Sequence, residues 1–233
     1  MKKMPEGKSA LIIGASRGLG LAIARELLER GWNVAATVRS GKTGLHTLAE
    51  TFPKALEIEY LDITDADQIA GLKTRLQGRD FDLLFVNAGV ANKNGMSETI
   101  GEITAEEFVR VMTINALWPM KVLEAFSGMA RSGGVIGAMS SGQGSVADNE
   151  RGGNDVYRAS KAALNMLMRS FASRHPQQAL LLLAPGWVKT DMGGSEAAFS
   201  IEDVIPDIVN TMVSRQGEKG LRYLDRFGKP IQW

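Results

Sequence analysis

The chain has 233 residues, of which 44% are hydrophobic and 23% charged, a composition typical of a globular protein. Its 27 basic and 26 acidic residues nearly cancel, which argues against nucleic acid or an anionic membrane as a partner. Cysteine is absent from the sequence, which excludes disulfides, thiolate catalysis and cysteine-ligated metals.

No part of the sequence predicts export or insertion into a membrane. The opening stretch, MKKMPEGKSALIIG, has lysines and a short apolar run, but not the longer apolar stretch and cleavage site of a secretory signal. No window approaches the roughly 18 apolar residues that a membrane-spanning helix needs. We therefore expect a cytoplasmic protein.

Short, mostly apolar runs of strand length recur along the chain. Apolar residues at consecutive positions are typical of parallel strands that are covered on both faces. The predicted strands are SALIIG (9–14), NVAATV (33–38), ALEIEYLD (55–62), FDLLFVNAG (81–89), GGVIGAMSS (133–141) and ALLLLAPG (179–186).

The segments between these strands have apolar residues at helical spacing. Alternation of strand and helix predicts a parallel sheet of about seven strands with right-handed crossovers and helices on both faces. We predict one doubly wound (Rossmann) α/β domain over residues 1–233. The predicted helices are LGLAIARELLERG (19–31), TDADQIAGLKTRL (64–76) with Thr64 as N-cap, TAEEFVRVMTINALWPMKVLEAF (104–126) and NDVYRASKAALNMLMRSFASR (154–174).

A glycine-rich turn, LIIGASRGLGLAIA, follows the first predicted strand and opens the first helix. Gly14 permits a sharp turn, while Gly18 and Gly20 permit close approach of a ligand phosphate and tight packing of helix on strand. The amide groups of a helix N-terminus favour phosphate at the same place. The turn therefore predicts a dinucleotide site, with a tight turn that binds no ligand as the alternative.

Three motifs in this order resemble the short-chain dehydrogenase/reductase family. They are the G-x3-G-x-G turn, VNAG (86–89) and Tyr157-x3-Lys161. The resemblance covers essentially the whole chain, and MSSGQGSVADNERGGNDVYRASKAALN with LRYLDRFGKPIQW is similar to the C-factor-like and sniffer-type carbonyl reductases. Ile13 departs from the family, which usually has threonine before the first glycine, so a local hydrogen bond of the turn is in question.

The end of the second strand indicates which dinucleotide binds. In dinucleotide folds this strand end meets the adenosine ribose, and an acidic residue there would repel a 2′-phosphate. Here Val38 is followed by Arg39, and Arg17 in the glycine turn could flank the same phosphate. Arginine matches phosphate oxygens with two parallel hydrogen bonds. The sequence favours NADP(H) over NAD(H), with a solvated surface charge as the alternative for Arg39.

Resemblance to the family implies further cofactor contacts. Asp62 and Ile63 would meet the adenine, although Asp62 could equally cap the following helix. The other implied contacts are Ser16 and Leu19 in the glycine turn, Asn87, Ala88 and Gly89 beside the adenosine, and Tyr157, Lys161, Pro185, Gly186, Val188 and Thr190 at the nicotinamide end.

Tyr157 and Lys161 are four positions apart, so they share a face if the segment is helical. A free phenol has a pKa near 10 and is a weak acid at neutral pH. A cation about 4 Å away favours the phenolate by about 4 kcal/mol at an effective dielectric constant of about 20, and burial opposes that effect. We therefore expect Lys161 to lower the pKa of Tyr157 toward the working pH.

The family mechanism implies a role for each polar residue. Tyr157 would protonate the carbonyl oxygen while hydride arrives from the nicotinamide, and Lys161 would hold the nicotinamide ribose. Ser141 would hydrogen-bond the same substrate oxygen, with Ser140 as the alternative serine. Asn115 would sustain a water-linked proton path to the lysine, and the alternative is that it only satisfies buried backbone groups.

This set of residues predicts an NADPH-dependent reductase of aldehydes or ketones. A 3-oxoacyl thioester reductase and a cofactor-binding signalling or sensor protein with little turnover are the alternatives. The short stretch GGSEAAFS (193–200) predicts an open site for apolar or aromatic carbonyl compounds, without a long helical lid. We expect a small-molecule substrate, no metal, and a homodimer or homotetramer, because the helices carrying Asn115 and Tyr157 often form subunit contacts in the family.

Overall fold

A parallel sheet lies at the centre of the computed structural model, which describes residues 7–93, 95 and 98–233. In the described chain the sheet has seven strands in the order β3-β2-β1-β4-β5-β6-β7, and every neighbouring pair is parallel. The strands are β1 (Ser9–Ile13), β2 (Asn33–Val38), β3 (Leu56–Tyr60), β4 (Phe81–Val86), β5 (Ala130–Met139), β6 (Ala179–Ala184) and β7 (Gly220–Asp225).

Helices cover both faces of this sheet. They are α1 (Gly18–Glu29), α2 (Gly44–Thr51), α3 (Ala66–Arg75), α4 (Ala105–Met112), α5 (Trp118–Phe126), α6 (Asp155–Arg174) and α7 (Ile201–Ser214). The predicted doubly wound α/β fold is confirmed, including all six strands that were placed along the sequence. Within the described ranges no helix is long and apolar enough to cross a membrane. Residues 1–6, on which the expectation about a secretory signal partly rests, lie outside the described residues.

Strand β1 lies between two helical layers, and this position explains why apolar residues follow one another in its sequence. Ala10 and Ile12 pack into a core shared with α1 and α7, whereas Leu11 and Ile13 pack into a second core shared with α5 and α6. All four residues are fully buried. Successive side chains of a strand point to opposite faces, so the central residues of a strand between two helical layers are apolar at consecutive positions.

The predicted N-cap of α3 is wrong by one residue. The Asp65 carboxylate caps the helix and accepts hydrogen bonds from the amides of Asp67 and Gln68. Thr64 instead donates from both its amide and its hydroxyl to Asp62 Oδ1. A carboxylate at the N-cap satisfies free amides and opposes the positive end of the helix dipole, which favours Asp65 over Thr64. Asp62 is therefore not the cap either.

The helix predicted over 104–126 is interrupted by a π-helical turn at Thr113–Leu117, between α4 and α5. Pro119 lies just beyond this turn and lacks an amide hydrogen. In a continuous α-helix that hydrogen would bond the carbonyl of Asn115, so the regular ladder cannot pass through this point. Such π-turns are frequent at functional sites, and Asn115 lies in this one.

Two glycines in helices offer a matched test of how closely α1 packs on the end of β1. A Cβ on Gly20 would lie 2.1 Å from the Gly14 carbonyl oxygen and 2.7 Å from Asn87 Nδ2. A Cβ on Gly71, in the middle of α3, would meet only Arg75 Nη1 at 3.5 Å. The first contact is far too short, whereas the second is an ordinary van der Waals contact.

We therefore expect Gly20→Ala to lower the free energy of unfolding by about 1–3 kcal/mol through overpacking. Gly71→Ala should raise it by about 0.5–1 kcal/mol, because alanine loses less backbone entropy in a helix. Urea unfolding of both variants beside the wild type measures this difference. A Gly20→Ala protein as stable as the wild type would show that α1 has room to move away from β1.

Candidate active site

A cleft of about 530 Å³ opens at the carboxyl ends of the strands. It lies where the strand order reverses, between β1 and β4. Open α/β sheets bind their ligands at this switch point, because the connections leave to opposite faces and separate there. The cleft is lined by the glycine turn, the ends of β2 to β5, the start of α6 and the segment after β6.

Nearly all the residues predicted from the sequence meet in this cleft. Gly20 and Asn115 do not line it: Gly20 packs beneath the glycine turn, and Asn115 lies behind Gly89. The predicted residues that do line the cleft are Gly14, Ser16, Arg17, Gly18, Leu19, Arg39, Asp62, Ile63, Asn87, Ala88, Gly89, Ser141, Tyr157, Lys161, Pro185, Gly186, Val188 and Thr190.

The glycine turn is held by groups from both neighbouring strands. Gly14 has φ +85°, and a Cβ there would lie 2.9 Å from Ala88. Its carbonyl accepts from Asn87 Nδ2 at 2.9 Å, and its amide donates to Thr37 Oγ1 at 2.9 Å. Thr37 therefore supplies a hydroxyl to the turn, although Ile13 stands where the family usually has threonine.

The two arginines of the predicted phosphate site are in different surroundings. Arg39 is exposed and lines the cleft after β2. Arg17 Nη1 donates to Asp191 Oδ2 at 2.7 Å, and both side chains are 72% exposed. Exposed ion pairs of this kind contribute only about 0–1 kcal/mol, so Asp191 competes only weakly with a phosphate for the Arg17 guanidinium.

The two candidate serines are distinguished by their hydrogen bonds. Ser140 is 2% exposed, and its hydroxyl donates to Asn165 Oδ1 at 2.7 Å. Ser141 Oγ accepts from the Gln143 amide at 3.2 Å and hydrogen-bonds the Tyr157 side chain. The geometry therefore places Ser141, and not Ser140, beside the phenol.

Lys161 is 3% exposed, and its ammonium donates to the Met139 carbonyl at 3.0 Å. Burial lowers the pKa of Lys161 to about 8. Its nitrogen lies 5.7 Å from the centre of the Tyr157 ring. The lysine thus lies near the phenol but is bonded to the end of β5.

The expectation that Lys161 lowers the pKa of Tyr157 is wrong for this arrangement. Burial raises the pKa of Tyr157, and the hydrogen bond with Ser141 opposes this only in part. The cause is that desolvation disfavours the phenolate, and the Lys161 ammonium donates to the Met139 carbonyl. Tyr157 is therefore a phenol that retains its proton at neutral pH.

Asn115 is fully buried, and its side-chain amide is occupied by hydrogen bonds. Its Oδ1 accepts from the Val90 amide at 2.8 Å, and its Nδ2 donates to the Val90 carbonyl at 2.8 Å and to Ser160 Oγ at 3.0 Å. These bonds match the alternative role, in which Asn115 satisfies buried groups. They fix the chain that leaves β4 against the helix that carries Tyr157.

The loop that follows Ser141 has a second support that the sequence did not predict, the segment that includes β7. The Tyr223 hydroxyl donates to the Ser141 carbonyl, and burial raises the pKa of Tyr223 to about 12. The Trp233 carbonyl accepts from the Ala147 amide at 3.0 Å, and its ring lies 5.4 Å from that of Tyr223. The strand was not predicted because Arg222 and Asp225 interrupt its apolar residues; Tyr223 and Leu224 are buried on opposite faces of the sheet.

Gln143 and Asn154 also line the cleft and were not predicted. The run of Gly152, Gly153 and Asn154 was an available signal, because glycine and asparagine tolerate positive φ and all three residues adopt it.

The segment between β6 and α7 contains no helix, so no helical lid covers the cleft from this side. Trp187 Nε1 donates to the Gly193 carbonyl at 2.8 Å, which closes a short turn. Trp187 and Met192 remain 45% and 44% exposed at the cleft. Among the described residues no cluster of three or more histidine or acidic side chains is arranged to hold a metal.

The chain belongs to the short-chain dehydrogenase family of oxidoreductases. Residues 8–200 match the sequence pattern of the family described as "short chain dehydrogenase". This match includes the glycine turn, the segment after β4, and the Tyr157–Lys161 pair.

Individual relatives agree with this assignment. The chain is 36% identical over 156 residues to the C-signal of Myxococcus xanthus, covering 65% of this chain and 92% of that protein. A putative short-chain dehydrogenase/reductase from Burkholderia multivorans with bound NADP is 52% identical, with a TM-score of 0.95 over 97% of this chain and 99% of the other.

Two solved carbonyl reductases have the same fold. The enzyme from Pseudomonas aeruginosa PAO1 in complex with NADP is 34% identical, with a TM-score of 0.88 over 97% of this chain and all of that one. The carbonyl reductase Sniffer of D. melanogaster is 27% identical, with a TM-score of 0.84 over 97% and 99%. The predicted resemblance to the C-factor-like and sniffer-type members is confirmed.

The burial of Lys161 gives a direct prediction. The Lys161 ammonium should lose its proton near pH 8 instead of near 10.5, so it is charged below pH 8 and neutral above it. Heteronuclear NMR of protein labelled at the lysine side chains measures this midpoint, and Lys161→Met identifies the resonance. A resonance assigned in this way that titrates at or above the ordinary lysine value would contradict the buried position.

Proposed function

We propose that the protein is an NADPH-dependent reductase of aldehydes or ketones. The single observation that supports this most is the convergence of Ser141, Tyr157 and Lys161 at one end of a cleft built like a dinucleotide site. Two NADP-bound family members, at 52% and 34% identity, support the cofactor. NADPH supplies the hydride when it is bound.

The cleft has the features that a dinucleotide phosphate needs. Gly14 and Gly18 have no side chains, so the backbone of the turn is open to a phosphate. A Cβ on Gly14 would lie 2.9 Å from Ala88, and one on Gly18 would lie 3.7 Å from Thr190. Arg39 provides an exposed cation at the end of β2, the place where a 2′-phosphate is distinguished from a hydroxyl. These residues would hold NADP(H), with Asp62 and Ile63 toward the adenine and Thr190 toward the nicotinamide.

Tyr157 donates the proton in this mechanism. Its raised pKa keeps the phenol protonated before reaction, and the Ser141 hydroxyl lies close enough to bind the same substrate oxygen. As the phenol gives its proton to the carbonyl oxygen, negative charge forms on Tyr157. The hydrogen bond with Ser141 favours that charge, and Lys161, held by its bond to the Met139 carbonyl, would bind the nicotinamide ribose.

Asn115 is a positioning residue in this scheme. It holds Val90 and Ser160, and so aligns one wall of the cleft with α6. The water-linked proton path implied by the family stays a proposal. It is consistent with the π-turn at Asn115, where Pro119 removes the α-helical donor to the Asn115 carbonyl.

A signalling role is the second candidate, and the 36% identity to the C-signal of Myxococcus xanthus favours it. A protein that only senses NADPH has no need of a proton donor beside the nicotinamide end of the cleft. NADPH binding without turnover of any aldehyde, ketone, quinone or acyl thioester would favour the sensor.

A homodimer or homotetramer also remains a proposal. Val109 on α4 and Met166 and Leu167 on α6 are 56%, 64% and 41% exposed, which supports contacts through these helices. Met168, by contrast, is fully buried in the core.

Replacing Tyr157 by phenylalanine removes only the phenol oxygen. Carbonyl reduction should fall by at least about 100-fold, the usual contribution of a general acid, while NADPH still binds. NADPH depletion and fluorescence titration measure the two properties. Activity close to that of the wild type would show that another group donates the proton.

The charge at position 39 should decide the choice of cofactor. Arg39→Asp is expected to weaken NADPH binding at least about tenfold more than NADH binding, because it exchanges attraction to the 2′-phosphate for repulsion. Lys42→Asp makes the same charge change at an exposed residue outside the cleft and should affect both cofactors similarly. Equal losses in Arg39→Asp would refute this assignment.

A further inference from the structure

Asn154 has an unusual backbone conformation for its position. Its φ of +55° and ψ of 39° lie in the left-handed region, and among the described residues it is the one non-glycine residue with positive φ. It precedes α6 as the N-cap, yet its side chain makes no capping hydrogen bond. Asparagine is among the best N-cap residues, so the absence of a capping hydrogen bond here calls for another explanation.

The side chain of Asn154 is directed at Gln143. Asn154 Nδ2 donates to Gln143 Oε1 at 2.7 Å, and Asn154 is 6% exposed. Its Oδ1 is buried and has no hydrogen-bond partner within the described residues. A left-handed residue and an unpaired buried oxygen both oppose folding, and such features persist mainly at functional sites.

Gln143 lies two residues after Ser141 and is held on the same short turn. Its amide donates to Ser141 Oγ at 3.2 Å. The next residue, Gly144, packs so closely that a Cβ there would lie 2.9 Å from Asn165 Nδ2 and 3.0 Å from Lys161 Cβ. The Gln143 side chain is half-buried and lines the cleft, so its position relative to the proton donor is fixed by α6.

The bond from Asn154 also decides which end of the Gln143 amide is free. Its Oε1 is occupied, so the Nε2 hydrogens remain for a ligand. Val90, Ala91, Trp187 and Met192 line the cleft with apolar groups. A directed amide donor in such surroundings distinguishes ligands by whether they offer an acceptor oxygen.

We propose that Gln143, oriented by Asn154, determines substrate specificity by donating a hydrogen bond to a second oxygen of the substrate. The substrate class is carbonyl compounds that carry another acceptor oxygen adjacent to the reacting carbonyl. Ser141 and Tyr157 bind the reacting oxygen, and Gln143 binds its neighbour. This inference rests on the proposed reductase function and adds the substrate class to it.

The experiment uses the full chain with NADPH and two substrates of the same skeleton, benzil and deoxybenzoin. Benzil has a second carbonyl where deoxybenzoin has a methylene. Gln143→Met keeps the length of the side chain but removes the donor, and should lower the ratio of kcat/KM for benzil to that for deoxybenzoin by about tenfold. Val146→Thr alters the same loop at a side chain that is 72% exposed and outside the cleft, and should leave the ratio unchanged.

Asn154→Gly is the second variant, because glycine accepts the left-handed backbone without strain and lacks the side chain that orients Gln143. It should lower the same ratio by about threefold, since Gln143 keeps its donor but loses its orientation. If Gln143→Met does not fold, the ratio in Asn154→Gly decides the question by itself.

The possible failures are distinguishable. Turnover by the wild type with an unchanged ratio in both variants overturns the specificity role and leaves the reductase proposal intact. Equal losses on both substrates would show that Gln143 and Asn154 act only through the shape of the loop, which also overturns it. NADPH binding with no turnover of benzil by the wild type would overturn the proposed substrate class, whereas the reductase proposal falls only if no other aldehyde or ketone is reduced either.

Discussion

The hydrogen bonds that join the ends of β1 and β4 are the constraint on which the rest of the site depends. The amides of Asn87 and Ala88 both donate to the Ile13 carbonyl, at 2.9 and 3.2 Å, and Asn87 Nδ2 donates to the Gly14 carbonyl. These bonds bring the glycine turn against β4 so closely that residue 14 cannot carry a side chain. The segment after β1 then runs to one face of the sheet and the segment after β4 to the other. The cleft is the space between these two segments.

The chemistry of the cleft depends on burial more than on attraction between charges. Lys161 is enclosed by the end of β5 and the loop at Gly144, and this enclosure lowers its pKa to about 8. The same exclusion of water raises the pKa of Tyr157. In the proposed mechanism Tyr157 is the proton donor, and its hydrogen bond with Ser141 favours the phenolate that remains. The exclusion of water that accompanies folding therefore sets the direction of both pKa shifts.

The outer wall of the cleft is supported from a distant part of the chain. The Tyr223 hydroxyl, on β7, donates a hydrogen bond to the Ser141 carbonyl, and the Trp233 carbonyl accepts one from the Ala147 amide in the same loop. Asn154 links this loop to the start of α6 through Gln143. The loop that would contact the substrate is therefore fixed at both ends, although it contains little regular structure. This rigidity is consistent with a site that distinguishes substrates by one directed hydrogen bond.

The sequence by itself determined the alternation of strands and helices, the glycine turn, and the placing of Tyr157 and Lys161 on one helix face. These features depend on the periodicity and spacing of residues near each other in the chain. Only the tertiary structure decided between Ser140 and Ser141, moved the cap of α3 to Asp65, and reversed the expected pKa shift of Tyr157. Those outcomes depend on which groups compete for a hydrogen bond and on how much water is excluded. Both are set by distant partners such as Asn165 and the Met139 carbonyl, which spacing along the chain does not reveal.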